Sequence, residues 1–280
     1  MENAVDFPIG VFDSGVGGLT VLKELMETLP NERFIYFGDT ARVPYGDKSE
    51  ETLIRYVLEC AEFLLGKEIK TLVIACNTAS AYALEPLRQL SSVPIVGVIE
   101  PGAKEASLKT NNKKIAVLAT KATIRSQVYI KAIQRFIPDA EILSLPCPLL
   151  VPFIEEKLFE HPALKILLKE YLASAKAQNI DTALLGCTHY PLIRNLVEKE
   201  LGSAVSVIDS AKAVSNNVIE LLSNFGLLSK TLKSERLQVY VSDDPNRFRD
   251  IGETFLGFSM PQVLKKNFEP LNFSIPSCPL

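Results

Sequence analysis

The sequence predicts an α/β protein of two similar parallel-sheet domains. Three observations predict it. Short apolar runs alternate with helix-spaced segments of ten or more residues, the pattern of parallel strands wrapped by helices. The order of elements restarts near residue 114. A chain of 280 residues has room for roughly two domains.

The elements follow in order. "PIGVF" (8–12) reads as a buried strand. In "GGLTVLKELMETLP", Leu19, Leu22, Leu25, Met26 and Leu29 fall on one helix face, and Pro30 stops it. "RFIYFGD" (33–39) is a second strand. Ser49 precedes two acids and then Leu53, Val57, Cys60, Ala61 and Leu64 at helix spacing, with Gly66 past the end. "TLVIAC" (71–76) is a third strand, "ASAYALEPLRQL" a helix, and "PIVGVI" (94–99) a fourth strand.

The pattern then repeats. Strands are expected at 114–120, 141–145, 182–187 and 205–209, with helices "TIRSQVYIKAIQRF", 163–179 and "PLIRNLVEKEL" between them. Cys76 stands 63 positions after Asp13, and Cys187 stands 67 after Thr120. This reads as an internal repeat of two α/β units. A helix from Ser210 to Asn224, a strand at 237–242 and a Pro245-led helix ending at Gly257 remain. They need a sheet to join and are expected to return to the first unit. The expected division is therefore 1–98 plus 211–280 for one domain and 99–210 for the other.

Apolar content of 47% and charged content of 22% are ordinary for a globular chain. A net charge of −3 and a pI near 5.6 give no basic field for nucleic acid or an anionic membrane. No segment approaches a membrane-spanning run, and "MENAVDFPIG" lacks the basic and apolar regions of a signal peptide. The five cysteines (60, 76, 147, 187, 278) are widely spaced and form no CxxC, which suits free thiols in a reducing cytoplasm. With two histidines in the chain, no metal is expected.

In open α/β sheets, ligands sit beyond the carboxyl ends of the strands. Four strands end in chemically usable residues: Asp13-Ser14; Asp39-Thr40 leading to Tyr45-Gly46; Cys76-Asn77-Thr78; and Cys187-Thr188-His189. The repeat puts one cysteine at the equivalent place in each half. A thiol at a helix N-terminus is expected to have a lowered pKa, because the dipole and free N–H groups favour the anion. One such group on each side of a carbon can remove a proton from one face and return one to the other, inverting a stereocentre. Asn77, Thr78 and Thr188 offer donors suited to a carboxylate. A buried cysteine more often acts as a small hydrophobe. Cys60, on an apolar helix face, fits that role, as does Cys147, while Cys278 has no assigned role.

Other chemistries fare worse. His189 lies two residues from Cys187, yet nothing marks an oxyanion hole for a Cys–His hydrolase. "DSGVGG" (13–18) lacks the Walker Lys-Ser/Thr, breaks GxGxxG at Thr20, and puts Asp13 where phosphate would sit. A carboxylate there suits an ammonium ligand instead. Glu155 and Glu156 follow the second strand of the second half, where one of them could orient His189; a solvated helix face is the plainer reading of Glu156. No lysine stands at a strand end to form a Schiff base, so no pyridoxal cofactor is implied.

The segments "GVFDSGVGGLTVL", "YFGDTARVPYG", "VIACNTASA", "VGVIEP" and "LLGCTHYPL" resemble, in order and over nearly the whole chain, the signature segments of the bacterial glutamate racemase family. That family is cofactor-independent, with two similar α/β domains and the active site between them. The resemblance implies that Cys76 and Cys187 are paired acid/base thiols. It implies that Asp13, Ser14, Tyr45, Gly46, Asn77, Thr78, Thr188 and His189 line a glutamate site, with Thr120 and Thr123 as further pocket residues and Glu155 supporting the histidine. The family's usual glycine before that first threonine is Ala119 here. The short N-terminus resembles members without the segment linked to activation by a cell-wall precursor, so no such activation is expected. The implied function is supply of D-glutamate for peptidoglycan, in the cytoplasm. The expected partners are glutamate and a second copy in a homodimer, without nucleic acid or membrane. Aspartate racemase, or a non-catalytic amino-acid-binding protein on the same fold, are the alternatives.

Overall fold

The computed structural model describes residues 4–232 and 234–268. Cys278 and the rest of 269–280 lie outside the described residues. In chain order the strands are β1 (Ile9–Asp13), β2 (Phe34–Gly38), β3 (Thr71–Ile74), β4 (Ile95–Gly97), β5 (Lys114–Ala119), β6 (Glu141–Pro146), β7 (Thr182–Gly186), β8 (Ser206–Asp209), β9 (Leu237–Val241) and β10 (Val263–Lys265). The helices are α1 (Leu19–Thr28), α2 (Glu50–Leu65), α3 (Asn77–Leu90), α4 (Ile99–Lys109), α5 (Lys121–Arg125), α6 (Val128–Phe136), α7 (Leu150–Glu155), α8 (Pro162–Ala177), α9 (Arg194–Leu201), α10 (Ala211–Asn224) and α11 (Pro245–Leu256).

The strands form two sheets, ordered β10-β9-β2-β1-β3-β4 and β6-β5-β7-β8. Every pairing is parallel. The first four strands of each half take the same order, second-first-third-fourth, so the repeat in the sequence is a repeat in topology. β9 and β10 extend the first sheet beyond β2. The chain passes between sheets twice, from β4 into α4 and from β8 into α10.

Burial explains the elements. β1, β2, β3 and β7 are buried at every position, as strands covered on both faces must be. The buried stripe of α1 is Leu19, Val21, Leu22 and Leu25; that of α2 is Leu53, Val57, Cys60, Ala61 and Leu64. Ser49 caps α2 by accepting from the Thr52 N–H, and Glu50 and Glu51 sit in its first turn, where the helix dipole favours anions. Asp244 caps α11, Pro245 begins it, and Gly257 closes it with φ 79°, a left-handed conformation that glycine adopts without strain.

Four features depart from the sequence pattern. The helix expected from "TIRSQVYIKAIQRF" is two helices. The Ser126 hydroxyl donates to the Thr123 carbonyl and accepts from the Val128 N–H, and Gln127 between them is left-handed, so the ladder breaks there. "PLIRNLVEKEL" starts as a 3-10 turn, Tyr190–Ile193, and becomes α-helical only at Arg194. α4 carries Pro101 and Gly102 in its first turn, poor helix formers that hide it from pattern reading. α7 and β10 are too short to leave a periodic signal. Among the described residues, no helix is long and apolar enough to cross a membrane.

Candidate active site

Parallel pairing sends the carboxyl ends of β1 and β3 to one edge of the first sheet, and those of β5 and β7 to one edge of the second. Residues just past those ends enclose one cavity of about 440 Å³. The first half contributes Ser14 after β1, the segment from Val43 to Asp47 after β2, and Cys76, Asn77 and Thr78 after β3. The second contributes Thr120 after β5, residues from Pro148 to Glu155 after β6, and Gly186 to His189 at the end of β7. Both thiols therefore face the same space, each from the third strand of its half.

Cys76 is the N-cap of α3. Its sulfur accepts from the Ala79 N–H at 3.5 Å and donates to Ser14 Oγ at 3.5 Å. It is 6% exposed. Burial first, and then the charge of Asp13, push its pKa up to about 12, against the hydrogen bonds from Ser14 and the α3 backbone. The lowering expected from a helix N-terminus is thus overridden by desolvation.

Asp13 lies behind the cavity wall, fully buried. Its Oδ2 accepts from the Gly15 N–H at 2.9 Å, and Thr188 Oγ1 donates to its Oδ1 at 3.4 Å. Burial pushes its pKa upward, against the charge of His189 and these hydrogen bonds.

Cys187 leads into the 3-10 turn and not into an α-helix N-terminus. Its Sγ is 3.8 Å from His189 Nδ1, and His189 Nε2 is 2.9 Å from Glu155 Oε1. Burial opposes a charge on His189, but the hydrogen bonds and charges of Cys187 and Glu155 outweigh it and raise its pKa to about 10. The imidazole is therefore protonated at neutral pH. Burial likewise opposes the Glu155 carboxylate, and the hydrogen bond and charge of His189, with Arg247, hold its pKa below the ordinary value.

Hydroxyls and amides join the two walls. Thr78 Oγ1 shares hydrogen bonds with Thr120 Oγ1 at 2.9 Å and Thr123 Oγ1 at 3.1 Å. Asn77 Nδ2 donates to the Tyr129 hydroxyl at 2.7 Å. Tyr45 donates to the buried Asp39 Oδ2 at 2.5 Å, so Asp39 holds the loop that carries Tyr45 and Gly46. A Cβ on Gly46 would lie 2.9 Å from Thr120 Cβ. Gly17 of "DSGVGG" serves the same close approach, since a Cβ there would overlap Thr188 Oγ1 and His189 Nδ1, whereas one on Gly18 would overlap Asp13 of its own half. These two contacts account for Gly17 and Gly18 without a phosphate.

The structure brings the residues singled out in the sequence to this cavity, except Asp13 and Thr123, which stand behind its wall, and Asp39 and Thr40, which lie outside its lining. Glu156 also reaches the rim. The sequence pattern does not mark Val43, Pro44, Asp47, Lys121, Pro148, Leu149, Val151 and Pro152, which also line the cavity. The proline-rich run after β6 was the available signal. Cys60 and Cys147 are fully buried in the core. Among the described residues, no group of three His, Cys, Asp or Glu is placed to hold a metal ion.

Comparison with known proteins agrees with this geometry. A family profile described as Asp/Glu/Hydantoin racemase matches residues 9–218. A glutamate racemase of Geobacter metallireducens is 47% identical over 261 residues, 93% of this chain and 97% of that protein. One from Syntrophus aciditrophicus is 47% identical over 91% of this chain and 95% of its own length. The crystal structure of a Francisella tularensis glutamate racemase in complex with D-glutamate superposes with a TM-score of 0.88 at 40% identity, covering 94% of this chain and 98% of that one. The chain belongs to the Asp/Glu/hydantoin racemase family.

Proposed function

We propose that this chain is a glutamate racemase, interconverting L- and D-glutamate by proton transfer at Cα between Cys76 and Cys187 without a cofactor. The observation that carries the reading is the pair of thiols at equivalent strand ends of two repeated sheets, opening on one cavity. One sulfur takes the α-proton from one face and the other returns a proton to the opposite face. The weakly acidic α-proton demands placement of both groups and stabilisation of the developing enolate. Asn77 and Thr78, in the first turn of α3 where backbone N–H groups lack helical partners, and Thr188 supply donors for the α-carboxylate. Ser14, Tyr45, Gly46 and Thr120 complete the glutamate site at the cavity wall. Thr123 and Asp13 support it from behind, and Glu155 orients His189.

On this reading Cys76, buried beside Asp13, is a proton-holding thiol. His189, charged and within reach of Cys187, tunes proton exchange on the other side. The mostly apolar lining from Val43, Pro44, Pro148, Leu149, Val151 and Pro152 keeps water from the carbanion and strengthens these electrostatic terms.

The product serves peptidoglycan synthesis, and the enzyme works in the cytoplasm, where its free thiols stay reduced. The proposal includes a homodimer and a division into 1–98 plus 211–280 and 99–210. Circular dichroism of L-glutamate and of L-aspartate with purified protein and no added cofactor tests the reaction. Loss of optical activity with glutamate supports it. Loss with aspartate alone makes this an aspartate racemase, and no loss with either makes it a binding protein.

A further inference from the structure

The helix α11 belongs to neither copy of the repeat, yet it reaches the site. It follows β9 on the first sheet and packs against α1 and β10. From there it makes three contacts with the second half, all around the Glu155–His189 pair. The Phe255 ring stands edge-on to the His189 imidazole, with centroids 5.6 Å apart and planes at 90°. Arg247 pairs with Glu156 at 2.8 Å, next to Glu155 at the end of α7. Lys157 Nζ donates to the Asp250 carbonyl at 2.8 Å. On the first half, Phe248 of α11 packs against Tyr36, with ring centroids 5.9 Å apart, and the Tyr36 hydroxyl donates to the Gly15 carbonyl.

We propose that Phe255 is a positioning residue for His189, and that Arg247 secures the end of α7 carrying Glu155, so that these two residues of α11 set geometry on the Cys187 side. The physical argument is rotational. The contacts of His189 with Cys187 and Glu155 run through its two ring nitrogens, and turning the ring about its χ1 and χ2 bonds would carry both nitrogens off their partners. A perpendicular aromatic wall opposes that turn at the cost of ordinary core burial, and Phe255 is 4% exposed. The Arg247–Glu156 pair is exposed and adds little to folding, so its effect falls on where α7 ends. Arg247 also contributes, behind His189, to holding the Glu155 carboxyl charged.

This inference rests on the two-thiol reading and extends it. The test uses Phe255→Leu, Arg247→Gln and, as reference, His189→Asn, with Cα-deuterated L- and D-glutamate. Misplacing a reacting group by ~1 Å costs about a hundredfold. Loosening one helper's ring by Phe255→Leu is expected to lower kcat/KM by about tenfold, equally in both directions because the equilibrium constant is one. Arg247→Gln is expected to cost about twofold, with an unchanged thermal midpoint. The primary isotope effect separates positioning from general damage. Slower transfer at Cys187 makes deuteron removal more rate-limiting for the enantiomer whose deuteron Cys187 takes. It makes removal less rate-limiting for the other, which then waits on reprotonation. Both variants are expected to raise the isotope effect for one enantiomer and lower it for the other, in the same sense as His189→Asn. Isotope effects that stay at the wild-type values, or move together, overturn the proposal. If Phe255→Leu does not fold, Arg247→Gln decides by the same criterion. If His189→Asn itself shows no split, the pairing of His189 with Cys187 has failed and the positioning role falls with it, while the two-thiol reading is decided separately by Cys76→Ala and Cys187→Ala.

Discussion

The two ends that carry the thiols share a scaffold and differ in everything around it. Cys76 caps a 14-residue helix, donates to a serine hydroxyl and has a buried carboxylate behind it. Cys187 leads into a 3-10 turn and lies beside an imidazole that a glutamate keeps charged. The repeated strand order sets both sulfurs at the edge of one cavity. The surroundings put a buried carboxyl group behind one and an imidazole beside the other. A reaction between mirror-image substrates thus runs through a site that is not itself symmetric, and two-fold repetition of fold carries no two-fold repetition of electrostatics.

The largest expected effect breaks the comparison outright. Cys76→Ala and Cys187→Ala should each lower racemisation by at least about a thousandfold, the upper range for losing a general acid or base. Near-normal thermal midpoints would show the fold intact. Full activity in either variant would end the two-thiol account.

His189→Asn should cost about a hundredfold, and it sharpens the contrast by a second route, pH. The pKa of His189 in the folded protein is raised to about 10. A raised pKa stabilises the fold while the group is protonated. This contribution is at full strength below about pH 6.5, the ordinary histidine value, and is lost as pH rises to 10. Denaturation of wild type and His189→Asn at pH 6, 8 and 10 should therefore show the wild-type advantage shrinking steadily. An advantage that grows with pH would contradict a charged His189.

Gly17→Ala probes the place where the halves touch. Its methyl group would overlap Thr188 and His189, so overpacking of about 1–3 kcal/mol is expected, with activity falling about tenfold. Unchanged kinetics would show that the approach is looser than it stands here. Cys60→Ala is the smallest perturbation and the control for thiols as such. It should cost on the order of 1 kcal/mol in stability, because a buried sulfur beside Arg42 is removed, and leave activity in place.

The thiols were legible in the sequence because repetition marks them: two apolar strands each stop on Cys-x-x with matching polar followers. The same repetition carries the strand order. What stayed hidden depends on distance in space. That Asp13 and Thr123 stand behind the wall follows from which neighbours cover them, and no spacing encodes that. The apolar wall from Pro148 to Pro152 lacks a period of 2 or 3.6, since proline breaks both. The break between α5 and α6 turns on one serine bonding its own backbone, which a helix-spaced apolar face outvotes on paper. The helix N-terminus alone predicts a lowered Cys76 pKa, and the burial that reverses the shift exists only after both halves close over the sulfur.

The central claim is that two separate groups carry the proton on the two faces of Cα. The direct measurement is racemisation of unlabelled L-glutamate, and separately of D-glutamate, in deuterium oxide, stopped at low conversion and resolved by chiral separation with mass detection. The account predicts that the product enantiomer carries one deuterium at Cα while the remaining substrate carries none, in both directions. Product that retains the original protium, or substrate that gains deuterium as fast as product forms, would contradict it.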